Sequence, residues 1–251
     1  MDMTFLPFRF PGIETVRCAF GSRAAGNFSL DAPEARADPA ATAARRRGLP
    51  SLLRVEAVAE IRQVHGVRTL FEPEPWHAER PAAAEGDGMA TRREALALAI
   101  KTADCQPLLL AHSSGRVVAA AHVGWRGNRQ NYPGRIVAEL CERYDLNPAD
   151  LSAVRGPSLG PAAAEFTGFD SEWGESFRPW FDACARVMNL WRLTRDQLIE
   201  AGLRPERIYG LDLCTASLAD AFFSYRADRN CGRQLSLIWI EKRHEPRDGR
   251  P

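Results

Sequence analysis

Two histidines and one cysteine carry the clearest chemical potential in this chain: His65, Cys105 and His122. Each stands where an apolar, strand-like run meets a loop, and the gaps between them are too long for a local zinc finger. Two imidazoles and a thiolate suit a catalytic zinc ion, which keeps one ligand position open. The same residues suit a cysteine nucleophile activated by histidine. The sequence therefore predicts chemistry at these three positions and leaves metal binding and nucleophilic catalysis both open.

Three charged residues in or near the same motifs are candidates for contact with a substrate. Asp104 precedes Cys105 and is a candidate catalytic carboxylate. Arg126 lies between Trp125 and a glycine, where a guanidinium can bind phosphate with two parallel hydrogen bonds. Glu165 follows a Gly- and Pro-rich loop and is a candidate pocket carboxylate. These residue types predict a site for a small polar or anionic substrate.

The elements that must position these residues alternate between strand-like and helical patterns. Short apolar runs predict strands over residues 96–100, 107–111, 116–121, 151–155, 207–213 and 235–240. Apolar residues at helical spacing predict a helix over residues 128–144, a largely helical segment over 171–201 and a helix over 216–225. Residues 40–47 predict a short, basic, solvated helix. The pattern indicates a mixed α/β fold, with residues 1–251 forming a single domain.

Composition excludes several function classes. The 251 residues have a net charge of +1, which argues against a dedicated nucleic-acid-binding protein. No apolar run is long enough to span a membrane, and the first 20 residues lack the pattern of a signal peptide. The six cysteines are scattered without a Cys-x-x-Cys pair, so we expect no disulfide framework and a reducing, cytoplasmic location.

Read together, the motifs resemble those of the YfiH family, also described as a laccase-domain, multicopper polyphenol-oxidase-type or purine nucleoside phosphorylase family. The matching segments follow one another in the family's order: residues 63–66 (QVHG), 86–88 (GDG), 102–105 (TADC), 119–127 (AAAHVGWRG), 156–161 (GPSLGP) with Glu165, 214–215 (CT), 222–228 (FFSYRAD) and 232–240 (GRQLSLIWI). The resemblance implies a sheet sandwich flanked by helices. It also places the family's metal ligands on His65, Cys105 and His122.

The resemblance further implies a zinc enzyme that acts on purine nucleosides. The expected reactions are phosphorolysis of adenosine, inosine, guanosine or methylthioadenosine, with deamination of adenosine beside it. The expected partners are therefore a nucleoside and phosphate, with no nucleic acid and no membrane, in a monomer or homodimer. The older laccase label implies copper and oxidation of phenols instead.

The chain departs from the family pattern near its N-terminus. Arg23 and Asn27 match a family arginine and asparagine that line the substrate pocket, but the intervening Gly-Gly-Val-Ser turn is missing. Ala164 replaces an aromatic residue before Glu165. The resemblance implies that Arg23 and Arg126 hold phosphate, and that Asn27 and Glu165 contact substrate.

Four functions stay open from the sequence. The first is the zinc enzyme, and the second is a copper oxidase, although a laccase with several copper ions needs more than the five histidines of this chain. The third is a metal-free Cys–His hydrolase with Cys105 as nucleophile. The fourth is a binding protein without catalytic activity.

Overall fold

Two β-sheets packed face to face form the centre of the protein, whose computed structural model describes residues 4–34 and 38–242. The first sheet has the strand order β1-β2-β13-β6-β3. Its strands are β1 (Phe5–Phe8), β2 (Val16–Gly21), β3 (Ala57–Ala59), β6 (Leu96–Thr102) and β13 (Gln234–Ile240). The second sheet has the order β12-β9-β7-β8-β5-β4. Its strands are β4 (Thr69–Phe71), β5 (Gly88–Thr91), β7 (Gln106–His112), β8 (Val118–Val123), β9 (Leu151–Arg155) and β12 (Ile208–Gly210).

Most neighbouring strands are antiparallel, whereas β3 runs parallel to β6, β4 to β5 and β12 to β9. The register that matters for the site joins β7 to β8, with Pro107 opposite His122 and Gln106 opposite Val123. The beginning of β7 and the end of β8 therefore lie at the same end of the second sheet.

The central strands β7 and β8 are buried along almost their whole length because both faces of the second sheet are covered. One cluster of buried side chains fills the space between the sheets and includes Phe20, Leu98, Leu109, Val154 and Ile238. A second cluster lies between the second sheet and the helices, and a third covers the outer face of the first sheet. The predicted mixed α/β sandwich flanked by helices is confirmed. The core shared by both sheets supports the prediction of a single domain, which stays a prediction.

Five α-helices lie among the described residues: α1 (Pro39–Leu53), α2 (Trp125–Arg129), α3 (Tyr132–Tyr144), α4 (Phe169–Glu172) and α5 (Leu190–Glu200). Where one helix was expected over 128–144, the chain breaks at Asn131, which has a left-handed backbone with φ of 54°. The Asn131 side chain accepts a hydrogen bond from Gly134 and caps α3, and Pro133 stands in the first turn. None of the helices in the described part of the chain is long and apolar enough to cross a membrane.

Two further helical predictions, over 171–201 and 216–225, differ from the structure. Residues 171–201 contain short helical turns and a small hairpin of β10 (Phe181–Asp182) and β11 (Val187–Met188) before α5 begins. Helix α5 is capped by Asn189, whose side chain accepts a hydrogen bond from the Arg192 backbone N–H at 2.9 Å. Residues 216–225 form turns in place of the predicted helix, because hydroxyl groups at both ends of that segment bind elsewhere.

Helix α1 is longer than predicted and is not a solvated basic helix on all its faces. Arg46 is fully buried, with its guanidinium bound to Glu60 at 2.6 Å and stacked 4.0 Å from the centre of the Trp76 ring. Glu60 also pairs with Lys101 of β6 at 3.0 Å. A buried ion cluster therefore joins α1 to the strand that leads toward His65.

Candidate metal centre

The three candidate ligands meet at one end of the sandwich. His65 lies in the loop between β3 and β4, Cys105 in the tight turn before β7, and His122 near the end of β8. Their ligand atoms all lie within 4.8 Å of one another, and the two imidazole rings are 4.8 Å apart at an angle of 80°. His122 is buried, Cys105 half-buried and His65 exposed, so the cluster opens to solvent on the His65 side.

A buried carboxylate, Asp87, holds two of the three ligands in place. Its oxygens accept hydrogen bonds from the backbone N–H groups of Val64 at 3.3 Å, His65 at 2.9 Å and Gly66 at 2.6 Å. The His122 Nδ1 lies 2.8 Å from the Asp87 Oδ1. When Nδ1 donates that hydrogen bond, the other imidazole nitrogen is left as a ligand atom, as in carboxylate–histidine–zinc arrangements. The residue patterns had assigned no role to Asp87, since nothing local in the sequence connects it to residues 64–66.

The backbone at the site adopts conformations that few residues other than glycine tolerate. His65 has φ of 60° and Asp104 has φ of 92°. Both are positive values that cost free energy and occur often at functional sites. Gly124 is constrained by space rather than by backbone conformation, because a Cβ there would lie 3.1 Å from the Cys105 sulfur and 3.2 Å from Cδ2 of His65. The end of β8 therefore packs directly against the ligand cluster.

The electrostatics of the cluster favour an ionised sulfur. Burial raises the pKa of the Cys105 thiol, but the His122 and His65 imidazoles more than compensate and bring that pKa below its ordinary value. Burial lowers the pKa of His122, but the Cys105 sulfur and the Asp87 carboxylate bring that pKa above its ordinary value. A thiolate beside an imidazolium is a ready metal ligand once the imidazole loses its proton, and it is also an activated nucleophile.

Asp104, the predicted catalytic carboxylate, binds other parts of the chain. Its Oδ1 accepts from the hydroxyl groups of Thr215 and Ser224, each at 2.7 Å, and its Oδ2 accepts from the Arg226 backbone N–H at 2.6 Å. Three hydrogen bonds from one distant segment thus converge on the residue before Cys105.

Arg126 and Glu165 both lie at the surface. The Arg126 guanidinium stacks 4.3 Å from the centre of the Trp125 ring, and within the described residues it makes no hydrogen bond or ion pair. The Trp125 ring packs against Phe166 at 5.8 Å, which connects the Arg126 region to the segment that carries Glu165. The Glu165 carboxylate lies 3.6 Å from Arg186.

Arg23 and Asn27 hold the N-terminal segment against residues 219–233. The Arg23 Nε donates to the Ala219 carbonyl at 2.9 Å, and its guanidinium lies 4.7 Å from the centre of the Phe223 ring. Asn27 is buried, and its amide oxygen accepts from the backbone N–H groups of Ser29 and Arg233. Both residues thus contact the protein itself within residues 219–233, the segment that contains Ser224.

Residues 156–160 also fit the Gly-x-Ser-x-Gly pattern of hydrolase nucleophile elbows. Ser158 is fully buried, and its hydroxyl accepts from the Trp191 indole at 2.9 Å and lies 3.3 Å from the Arg155 guanidinium. A nucleophile elbow presents an exposed serine hydroxyl that is paired with a histidine. Ser158 is buried and paired with Trp191 and Arg155, so it has a structural role here.

Comparison with known proteins finds relatives that match most of the chain. The family model described as multi-copper polyphenol oxidoreductase laccase matches residues 20–241. A protein of Xylella fastidiosa named purine nucleoside phosphorylase is 38% identical, over 72% of this chain and 71% of its own length. The Escherichia coli protein named purine nucleoside phosphorylase YfiH is 33% identical over 72% of each chain. The crystal structure of YlmD from Geobacillus stearothermophilus superposes with a TM-score of 0.81 at 25% identity, covering 96% of this chain and 98% of that one.

Proposed function

Because the chain belongs to the YfiH family of laccase-like domains, we propose that it is a zinc-dependent purine nucleoside phosphorylase with adenosine deaminase side activity. The observation that supports this most directly is the convergence of His65, Cys105 and His122 on one point at the open end of the sandwich. The expected substrates are adenosine, inosine, guanosine or methylthioadenosine together with phosphate.

The ligand cluster fits zinc on three grounds. Its two nitrogens and one sulfur are a donor set that zinc prefers, and three protein ligands leave one position open, as catalytic zinc sites do. Asp87 orients His122 through its Nδ1, and Gly124 leaves space beside the sulfur. Zinc held by these residues would supply Lewis-acid polarisation of a substrate oxygen or nitrogen.

Phosphate binding is assigned to Arg126 because its guanidinium is exposed and has no hydrogen-bond or ion-pair partner among the described residues. The stacked Trp125 ring restricts the plane of the guanidinium, so two parallel N–H groups can meet two phosphate oxygens. In phosphorolysis a phosphate oxygen forms a bond to C1′ of the nucleoside, the C1′–N9 bond breaks, and the purine leaves with a proton. In deamination, water adds at C6 of adenosine and ammonia leaves.

The remaining predicted residues receive supporting roles in this proposal. Glu165 is at the surface beside the segment that packs on Trp125 and is proposed to contact the nucleoside. Arg23 and Asn27 are proposed to shape the pocket wall, because their polar groups bind the chain itself. The cytoplasmic location and the monomer or homodimer state stay predictions.

Copper and phenol oxidation form the second candidate, favoured by the description of the family model. Within residues 4–34 and 38–242 the structure has one cluster of three metal-ligand side chains. A centre with several copper ions needs more ligands than this cluster supplies, so the cluster favours a site for a single ion. Elemental analysis of protein purified without added metal separates the two: about one zinc per chain is expected, and tightly bound copper with a strong blue absorbance would favour the oxidase.

The activity is tested by incubating the zinc-loaded protein with nucleosides, with and without phosphate, and separating the products by chromatography. Adenosine with phosphate should give adenine and ribose-1-phosphate, and adenosine in water should give some inosine. A Cys105→Ala variant is the negative control. If the wild type and Cys105→Ala behave alike, with no purine nucleoside consumed, the proposed activity is refuted and a binding function remains.

The phosphate assignment is tested with Arg126→Lys and the matched control Arg129→Lys in the same short helix. Lysine replaces a two-pronged hydrogen-bond donor with a point charge, so the KM for phosphate should rise about tenfold or more. Deamination needs no phosphate and should change less, and Arg129→Lys should leave both activities unchanged. Equal loss of both activities in Arg126→Lys, with zinc retained, would contradict the assignment.

A further inference from the structure

We propose that Asp104 is a positioning residue that ties residues 214–228 to the Cys105 end of the metal site. This inference deepens the proposed function and rests on it, because it takes residues 214–228 to form one wall of the nucleoside pocket. Asp104 is next to the candidate metal ligand Cys105, but its carboxylate binds residues that lie more than 100 positions further along the chain.

The contacts leave little freedom at this point. Thr215 and Ser224 are both fully buried, and their hydroxyl groups donate to the same Asp104 oxygen at 2.7 Å. The other oxygen accepts the Arg226 backbone N–H at 2.6 Å. The Asp104 carbonyl accepts from the Leu159 backbone at 2.8 Å, which adds the loop of residues 156–161 to the same junction.

The segment that Asp104 holds has no regular structure of its own. Residues 216–225 are a series of turns, so their position depends on contacts with other parts of the chain. Arg23 and Gln234 bind the middle of the segment, and Asp104 binds its two ends. The segment presents exposed side chains, including the Tyr225 ring at 48% exposure and Leu218 at 40%. An exposed aromatic ring on a segment tied to the residue beside Cys105 suits the flat, partly apolar surface of a purine base.

The backbone at Asp104 supports a constrained junction. Its φ of 92° lies in the region that L-residues seldom adopt, so the surrounding contacts must hold it there. Because Cys105 is the next residue, any relaxation of this dihedral angle moves its Cα and its sulfur. Asp104 thereby couples the position of the pocket wall to the position of the thiolate ligand.

Two substitutions at this position separate positioning from proton transfer. Asp104→Gly removes the carboxylate while tolerating the positive φ. Asp104→Asn also tolerates positive φ and can keep the contact of its oxygen with the Arg226 N–H, while its NH₂ group faces the hydroxyl oxygens of Thr215 and Ser224. A positioning role predicts that Asn rescues part of what Gly loses, whereas a proton-transferring carboxylate would be lost in both.

The experiment uses the full chain loaded with cobalt, whose thiolate charge-transfer band reports the Cys105 sulfur. In Asp104→Gly the metal should still bind, but the band should shift, and amide exchange over residues 224–228 should accelerate about tenfold or more. The KM for the nucleoside should rise more than kcat falls. Asp104→Asn keeps the Arg226 contact but offers no acceptor to the two hydroxyl groups, so it should lie closer to the wild type than Asp104→Gly in all three measurements. Asp145→Gly, at another aspartate with positive φ that caps the C-terminal end of α3, controls for added chain flexibility.

A wild-type-like band and exchange rate in Asp104→Gly would overturn the proposal. So would equal loss of kcat in both Asp104 variants with the band unchanged. If Asp104→Gly does not fold, the pair Thr215→Val and Ser224→Ala removes two of the three contacts without touching Asp104, and unchanged exchange in that pair would also overturn it. If the wild type turns over no nucleoside, the proposed function is refuted. The positioning role of Asp104 is still tested in that case, because the charge-transfer band and the exchange rates are measured without substrate.

Discussion

A single methyl group added at Gly124 tests the geometry of the candidate metal centre most directly. The added Cβ would lie 3.1 Å from the Cys105 sulfur and 3.2 Å from Cδ2 of His65. Ordinary contacts between such atoms are about 3.5–4.0 Å, so at least one ligand must retreat by roughly 0.4 Å. Metal–ligand distances tolerate only about 0.2 Å. Gly124→Ala should therefore weaken zinc binding about 10–100-fold, or roughly 1.4–2.7 kcal/mol.

The same substitution should leave the stability of the fold nearly unchanged. Gly124 has φ of −79° and ψ of 174°, an extended conformation that alanine adopts without strain. Replacing glycine stabilises by about 0.4–1 kcal/mol through the unfolded chain. Alanine is a poorer residue at the start of α2, which costs a comparable amount. The two effects offset each other, so the free energy of unfolding of the metal-free protein should change by less than about 1 kcal/mol.

The assay is a competitive titration of zinc against a coloured chelator, with thermal unfolding of the metal-free protein measured in parallel. Gly48→Ala is the matched control, because a Cβ at Gly48 in α1 meets no atom within 4 Å. That variant should bind zinc as the wild type does. Zinc affinity of Gly124→Ala within about twofold of the wild type would refute the close approach of β8 to the ligands.

Two further predictions concern buried carboxylates. Asp87→Asn should lower zinc affinity about 10–100-fold in the same titration, because an amide cannot accept the hydrogen bonds of residues 64–66 and of His122 together; unchanged affinity would contradict its orienting role. Glu60→Gln should lower the free energy of unfolding by about 3–5 kcal/mol at neutral pH, measured in urea, because Arg46 and Lys101 would keep buried charges without their partner. Burial raises the pKa of Glu60, but Arg46 and Lys101 bring that pKa below the ordinary value of 4.5. The stability that this carboxylate contributes is therefore complete above pH 4.5 and is lost as the pH falls through the folded-state pKa. The difference between wild type and Glu60→Gln should narrow below pH 4.5, and a constant difference would count against the cluster.

Much of the core and the ligand set could be predicted from sequence because their signals are local. The central strands are continuous apolar runs, and β6, β7, β9 and β13 appear within two residues of the predicted ends. Cys105 follows the predicted strand at 96–100 and His122 follows the one at 116–121, whereas His65 lies in a loop next to no predicted strand. The structure brings His65, Cys105 and His122 together in one cluster.

The residues that sequence analysis missed act through contacts between distant segments. Arg46 lies in an Ala- and Arg-rich stretch that has the composition of a solvated helix, and its burial depends on Glu60 and Trp76, which belong to other elements. The turns at 216–225 replaced a predicted helix because Thr215 and Ser224 bind Asp104. Neither pairing leaves a periodic trace in the sequence, so propensity alone could not predict them.

The loop that carries His65 shows how these distant contacts set the chemistry. It has no helix or long strand to fix it, and His65 itself is exposed with a left-handed backbone. Asp87 binds the backbone of residues 64–66, and the side chain of the preceding Gln63 pairs with both backbone groups of Lys101 at 2.8 and 2.9 Å. Lys101 in turn pairs with Glu60, so the buried ion cluster and the loop share one strand of the first sheet. The most exposed of the three candidate ligands is thus held through its backbone by the buried Asp87 carboxylate, which explains how the site can open to solvent and still hold a fixed geometry.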